Sequence, residues 1–294
     1  MLVERRIRNY QAPLHQYLAG GGKRAIEIAH RRWGKDEIAL AWTFQAIMDR
    51  PATYWHCLPQ LNQARKAIWT AVNPHTGKRR IDEAFPVELR EVTNEQEMFI
   101  RFTNGATWQV IGSDTYDSLV GAGVAGIVFS EWALANPSAW GYLSPMMREN
   151  NGWALFITTP RGKNHAYDMF NHAMKSDDWY AEISDAKATG AFNDEQLDGI
   201  RDEYIALYGS DFGASQFEQE YLCSFEAAIL GSYYGGELTE ARAAGRICKV
   251  KHDPDLPVQT IWDIGFSDDT VILFVQIVAN EVRIIDTYSA NGQP

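Results

Sequence analysis

The sequence predicts an α/β fold built on a mainly parallel central sheet, and three observations carry that prediction. Short apolar runs alternate with helical stretches from the start of the chain to about residue 230. Two of these runs, Ile26-Glu27-Ile28-Ala29-His30 and Gly126-Ile127-Val128-Phe129-Ser130, break off into charged residues. Hydrophobic residues make up 46% of the 294, with 12% aromatics, enough for one large core or two unequal ones.

The elements follow in order. Strands are expected at Ile26–His30, Thr53–Leu58, Phe99–Thr103, Thr107–Gly112, Gly126–Ser130 and Trp153–Thr158, where β-branched and aromatic residues concentrate. Asn104-Gly105 between two of them reads as a tight hairpin turn. Helices are expected over Asp36–Met48, Gln60–Thr70, an Ala/Leu stretch from Glu131, His165–Ser176 and Asp194–Leu207, the last capped by Asn193 or Asp194. The texture then shifts at Gly231-Ser232-Tyr233-Tyr234-Gly235-Gly236, and Pro254 and Pro257 interrupt an acidic stretch. Residues 1–230 are therefore read as one domain, 231–256 as a linker and 257–294 as the start of a second domain. Its three β-type runs, Gln259–Ile264, Thr270–Val278 and Val282–Tyr288, have no partner helix and make a poor domain alone.

Cys57, Cys223 and Cys248 are scattered and odd in number, which argues for a reducing compartment and against a disulfide scaffold or a cysteine zinc site. Met1-Leu2-Val3-Glu4-Arg5-Arg6 lacks the apolar stretch of a signal peptide. The best apolar run, Val271 to Ala279, is too short to span a bilayer and contains Gln276, so a soluble, cytoplasmic protein is expected. The net charge of −11 disfavours a broad nucleic-acid footprint and leaves room only for a local patch. The densest basic points are Lys78-Arg79-Arg80 and Arg31-Arg32.

The two charged breaks carry the chemistry. His30-Arg31-Arg32-Trp33-Gly34-Lys35-Asp36 ends a strand, turns, and sets a lysine at the mouth of a helix, as a P-loop does. It departs from G-x-x-x-x-G-K-[ST] at Ala29 and Asp36, and a basic turn opening a surface helix would read alike. The second break, Ser130-Glu131, stands where a Walker B strand usually ends in Asp-Glu. The hydroxyl and the carboxylate have exchanged motifs. Asp36 with Ser130 would offer Mg²⁺ the same two oxygen ligands as an ordinary site, with Glu131 positioning the attacking water. An acid favoured by a helix dipole would also explain Glu131.

Taken in order, these segments resemble the large terminase subunit of tailed bacteriophages, in its HK97-like branch. Tyr10-Gln11 is similar to an adenine-reading Q motif, and the segment from His30 to Asp36 to that branch's Walker A. Leu58-Pro59-Gln60-Leu61-Asn62-Gln63-Ala64 resembles the segment after the second strand, and Gly126 to Glu131 the Walker B. Phe156-Ile157-Thr158-Thr159-Pro160-Arg161-Gly162 resembles the coupling motif, and Phe217-Glu218-Gln219-Glu220-Tyr221 a pattern near the end of the ATPase domain. Trp262-Asp263-Ile264-Gly265-Phe266-Ser267-Asp268-Asp269 is similar to the first strand of a ribonuclease-H-like nuclease domain.

The resemblance implies a P-loop ATPase that drives double-stranded DNA into procapsids. ATP and Mg²⁺ are its cofactors, and its partners are a portal protein, a small terminase subunit and its own copies in a ring. Gln11 would meet adenine, and Arg32, Trp33, Gly34 and Lys35 would line the phosphates. Arg31 would sense phosphate, and Thr158 or Thr159 the γ-phosphate. Asp263, with Asp268, Asp269 and Asp286 as weaker candidates, would hold Mg²⁺ or Mn²⁺ at a nuclease site. That site is expected to be incomplete in this chain, with little or no DNA cleavage. Where many relatives carry a trans-acting arginine this chain has Val120, so such a group would come from elsewhere, with Arg101 and Arg148 as candidates. Two other readings remain open at this level: a helicase-like DNA-dependent ATPase, and an inactive prophage remnant that binds nucleotide or DNA without turnover.

Overall fold

A sheet of eight strands organises the first of two compact units, Met1–Gly231 and Ser232–Pro294. The structure is a computed structural model that describes residues 7–119, 123–226, 240–241, 244–265 and 269–290. The strands are β1 (Arg24–Ala29), β2 (Thr53–Leu58), β3 (Arg90–Asn94), β4 (Phe99–Phe102), β5 (Thr107–Gly112), β6 (Val124–Ser130), β7 (Trp153–Thr158) and β8 (Trp179–Ser184). Their spatial order is β3-β4-β5-β2-β6-β7-β1-β8. Pairings from β5 through to β8 are parallel, and β4 and β3 add an antiparallel edge. Strands β1, β6 and β7 are buried along their whole length, as expected of parallel strands covered on both faces.

Nine helices accompany the sheet among the described residues: α1 (Ala12–Ala19), α2 (Lys35–Asp49), α3 (Leu61–Ala64), α4 (Arg80–Ala84), α5 (Ser138–Glu149), α6 (His165–Ala173), α7 (Ala186–Thr189), α8 (Asp194–Tyr208) and α9 (Ser210–Tyr221). Alternation along β1 divides the core between the two sheet faces. Ala25 and Ala29 join a cluster with Trp33, Trp42, Trp69 and Trp108, while Ile26 and Ile28 join Phe129, Trp132 and Phe156 opposite.

Three local features differ from expectation. No helix starts at Glu131. That residue takes a left-handed conformation (φ 52°), a short 3-10 turn covers Trp132–Leu134, and α5 begins only at Ser138. Pro137 explains the delay, because a proline pushes the residue before it out of helical conformation. The helix expected over Gln60–Thr70 is α3 followed by a π-turn, Arg65–Trp69, whose wider pitch turns both Ile68 and Trp69 into the core. Strands β3 and β8 lie outside the expected set because Arg-Glu-Val-Thr-Asn and Trp-Tyr-Ala-Glu-Ile-Ser are half-exposed edge strands without an apolar run. The hairpin turn falls at Gly105 (φ 87°), and Asn193 caps α8 in a reciprocal bond with Gln196.

In the second unit β9 (Gln259–Asp263), β10 (Thr270–Val278) and β11 (Glu281–Ala290) form an antiparallel meander in the order β11-β10-β9. Among its described residues only Val275 and Gln276 are buried, and Ile261, Trp262, Val282 and Ile284 are exposed. Among the described residues no helix is long and apolar enough to cross a membrane.

Glu27 is the odd residue of β1. It is fully buried, and no hydrogen bond of good geometry reaches either carboxylate oxygen, the Ser184 hydroxyl being only a weak partner. Burial pushes its carboxyl well above the ordinary range, and Glu182 on β8 adds to the effect. The folded state therefore holds a proton that the unfolded chain releases near its ordinary pKa, so stability falls as pH rises from there toward the folded value. Glu27→Gln is expected to raise stability at pH 8 by roughly 1–3 kcal/mol and to leave it little changed near pH 4. Urea unfolding at the two pH values measures this, and an equal effect at both would contradict it.

Candidate nucleotide-binding site

The site begins where β1 ends. His30 to Gly34 form a turn, with Arg32 at φ 70° and Gly34 at φ 91°, and α2 starts at Lys35. A side chain at Gly34 would be strained by that φ and would place its Cβ 2.3 Å from Arg8 Nη1, so the loop needs glycine here. Lys35 Nζ lies back along the loop, donating to the carbonyls of Ala29 (3.1 Å) and His30 (3.3 Å) and to Thr159 Oγ1 (2.9 Å). Lys35 and the end of β7 thus meet at one point.

Asp36, the next residue, reaches the end of β6. Ser130 Oγ donates to Asp36 Oδ1 at 2.7 Å, and buried His56 on β2 donates to the same oxygen from Nε2 at 3.2 Å. Because a carboxylate only accepts, that His56 nitrogen carries the proton. Arg80 Nη1 stands 3.9 Å from the other oxygen, Oδ2. Burial alone would raise the Asp36 carboxyl, but contacts with His56, Ser130 and Arg80 outweigh it and hold the group below its ordinary value. Asp36 stays 22% exposed and lines the cleft, with the buried Ser130 hydroxyl directly behind it, and a carboxylate with a hydroxyl is the hard-oxygen donor set that suits Mg²⁺.

The cleft over this loop has a volume of about 1190 Å³ and is lined by Gln11, Arg31, Lys35, Asp36, Glu131 and Thr159, and by residues of the 73–80 segment other than Gly77 and Arg79. Burial raises the Glu131 carboxyl, and Lys35 and Arg161 oppose the rise. Thr159 faces the cleft, whereas Thr158 is buried, accepting from Ala133 N at 3.1 Å and donating to the Thr159 carbonyl. Thr158 therefore fixes the turn after Glu131 and does not line the cavity.

Two loop residues sit otherwise than a ligand-contact role requires. The Trp33 indole is wholly buried against Tyr10 at 5.5 Å, so Trp33 anchors the loop to the core. Gln11 is buried and donates to the Trp33 carbonyl (3.1 Å), and its Oε1 accepts from Arg8 N (3.1 Å). Both ends of the amide are engaged in latching the loop. Arg32 lines the cleft.

Glu220 on α9 ties the loop to the end of the unit. It accepts from Arg31 Nη1 at 2.9 Å and from Arg161, and its own carbonyl accepts from Arg31 N. Burial would raise its carboxyl, but Arg161 and Arg31 bring it below the ordinary value. Sequence reasoning gives no role to Glu220, His56 or Arg80. The available signals are a glutamate and a histidine within otherwise packed segments and a basic triplet that looks like a surface patch.

The proposed nuclease acids are not gathered. Asp263 is exposed at the end of β9, Asp269 accepts from Ser289 Oγ at 2.6 Å, and Asp268 lies outside the described residues. Asp263 pairs with Val271 and Asp286 with Phe274, an odd offset along β10 that sends the two acids to opposite faces. Among the described residues no group of three or more His, Cys, Asp or Glu could hold a metal ion. Arg101 is paired with Glu91 and Arg148 lies by Lys23 and Arg24, so neither lines the cleft, and Val120 is outside the described residues.

The parallel sheet places one strand, β7, between β1, which leads into the Lys35 turn, and β6, which ends beside Glu131. A family model described as terminase large subunit, T4likevirus-type, N-terminal, matches residues 25–241, and the chain belongs to that family. It is 27% identical over 175 residues to the terminase large subunits of Thermus phage G20c and Thermus virus P23-45. That stretch covers 54% of this chain, and the chain spans only 35% of the length of those relatives. Its fold is similar to the large terminase ATPase domain of Thermus phage P74-26, with TM-score 0.58 and 20% identity over 75% of this chain and 94% of that one. It is also similar to the large terminase of a thermophilic bacteriophage in complex with ATP-gamma-S, with TM-score 0.55 and 12% identity over 98% of this chain and 68% of that one.

Because the Glu220 carboxyl is lowered by its two arginines, its stabilisation is present above the ordinary carboxylate pKa and is lost only as pH falls through the folded value. Glu220→Gln is expected to cost roughly 1–3 kcal/mol at pH 7 and much less near pH 2, as read from denaturant midpoints. An unchanged midpoint at pH 7 would contradict this.

Proposed function

We propose that residues 1–230 form an ATPase domain that hydrolyses ATP with Mg²⁺ to drive double-stranded DNA into a procapsid. The observation that carries this reading is the 2.7 Å contact between Asp36 and Ser130, with Lys35 and Glu131 on the same cleft. Lys35 opens α2, so its ammonium and the helix N-terminus present positive charge and free N–H groups to the β- and γ-phosphates. Asp36 and Ser130 would hold Mg²⁺, which when bound neutralises charge on the transferred phosphate. Glu131 polarises the attacking water, and its raised carboxyl moves it toward the range of a general base. Thr159, already hydrogen-bonded to Lys35, lies where a hydroxyl can register the γ-phosphate.

Asp36 after the lysine and Ser130 before Glu131 support placing the chain on the HK97-like branch, a finer placement than the matching T4-like description. Membership of the large terminase family supports a homo-oligomeric ring on a portal, with a small terminase subunit, in the host cytoplasm. We read residues 257–294 as the opening of a ribonuclease-H-like nuclease domain, on the antiparallel order β11-β10-β9 and Asp263 ending β9. With Asp263 and Asp286 on opposite faces, this chain is expected to cleave little DNA.

Glu131→Gln is expected to lower ATP turnover by roughly 10²–10⁴-fold while nucleotide still binds, and Lys35→Ala to lose binding itself. Turnover by Glu131→Gln at the wild-type rate would refute the assignment. Asp36→Ser and Ser130→Asp should each weaken Mg²⁺-dependent turnover, and the double variant should recover more than either. A double variant no better than the singles would sink the idea of exchanged ligands.

A further inference from the structure

We propose that Arg80 is a second phosphate-binding cation of this site, acting within the same chain: its guanidinium, which faces Asp36 in this structure, would turn to the triphosphate of a bound Mg²⁺–nucleotide. This inference rests on the ATPase reading above.

The triplet Lys78-Arg79-Arg80 looks like one surface patch, yet the fold splits it. A bridge between Val72 and Arg79 and a bond from Arg80 N to the Ala71 carbonyl (2.8 Å) close a hairpin whose segment from Asn73 to Lys78 lines the cleft. Arg79 is spent on structure, bonded to Asp82 at 2.8 Å and Glu95 at 2.9 Å. Arg80, the first residue of α4, points the other way and lines the cleft. Its one ion pair among the described residues is with Asp36 Oδ2 at 3.9 Å, beyond hydrogen-bonding distance.

That pair is lopsided. Asp36 Oδ1 is saturated by Ser130 and His56, and Oδ2 has only the loosely placed guanidinium. Asp36 and Ser130 would hold a divalent cation there, and its two positive charges would oppose a third beside them, so the guanidinium would leave the carboxylate. The strongest anion within the same cleft is then the nucleotide phosphate, and a planar guanidinium engages phosphate through paired hydrogen bonds. The cation that faces Asp36 in this structure would thus become a ligand of the substrate. Because Asp36 meets Ser130, the residue before Glu131, Arg80 stands on the side of the cleft where this reading puts the γ-phosphate, so it should favour a triphosphate over a diphosphate.

The experiment compares affinities for ATP-gamma-S and ADP in Mg²⁺, together with ATP turnover, in the full chain and in Arg80→Ala, Arg80→Gln, Arg80→Lys, Arg79→Ala and Lys35→Ala. Arg80→Ala and Arg80→Gln should bind ADP within about twofold of wild type, bind ATP-gamma-S at least about tenfold more weakly, and turn over roughly 10²–10³-fold more slowly. Arg80→Lys should recover part of both losses, and Arg79→Ala should lower thermal stability without changing the ATP-gamma-S to ADP ratio. If both neutral Arg80 variants keep the wild-type ratio and turnover while Lys35→Ala loses binding, this proposal is overturned and the ATPase reading stands. An equal loss for both nucleotides with lowered stability would mark Arg80 as structural and overturn it too. If wild-type protein binds neither nucleotide, the ATPase reading falls and this inference falls with it.

Discussion

The contact between Asp36 and Ser130 is the constraint on which the rest of the site depends, because it closes a gap that the sheet itself leaves open. The loop strand β1 and the acid-bearing strand β6 are not neighbours; β7 lies between them. Two strand spacings amount to about 10 Å, too far for side chains rising straight from the strand ends to touch. The first turn of α2 makes the crossing, carrying Asp36 to Ser130 on β6 and further to His56 on β2. Three strands of the parallel core are thereby pinned to one carboxylate, and Glu131 is placed by being next in chain to Ser130. A helix that began one residue later would leave Lys35 on the loop but lose the crossing.

Charge is distributed in the same spirit. The chain carries a net charge of −11, yet Arg8, Arg31, Arg32, Lys35, Arg80 and Arg161 converge on one cleft. Cations so crowded repel unless anions stand among them. Glu220 serves Arg31 and Arg161, Glu37 serves Arg8 and Asp36 serves Arg80. Carboxylates of the protein thus balance the cations gathered on the cleft. The acidic balance of the whole chain gives no hint of this, since composition averages over a surface and the site is a local excess.

What can be read in the sequence is what is local along the chain. Strands β1, β2, β5, β6 and β7 announce themselves as apolar runs, and Gly34-Lys35 and Ser130-Glu131 mark where two of them stop. His56, Arg80 and Glu220 are not legible, because each acts on a residue 20, 44 or 189 positions away. Gln11 and Trp33 are legible as members of the site but not in their roles. Both lie where a nucleotide contact would be sought, and both are absorbed by the loop's own backbone and core. In the second unit a lone Asp263 on an exposed strand has only resemblance behind it, and the register of β9 and β11 on β10 keeps Asp286 from joining it.

The conformation of Glu131 connects these threads. A glutamate at φ 52° and ψ 46° costs about 1–2 kcal/mol relative to ordinary backbone, so something must hold it there. The restraint comes from the chain after β7. Thr158 Oγ1 accepts from Ala133 N, Asn164 donates to the Ala133 carbonyl at 2.8 Å, and His165 donates to the Trp132 carbonyl at 2.7 Å. Asn164 also caps α6 by accepting from Ala166 N. The turn that aims the acid is therefore fastened to the segment joining Thr159, which touches Lys35, to the start of α6. Thr159 is bonded to Lys35 and to the Ala29 carbonyl, and its neighbour Thr158 is bonded to the turn after Glu131, so the loop and that turn are linked through two adjacent residues. The end of β7 and the start of α6 thus restrain the turn that carries Glu131 from both sides.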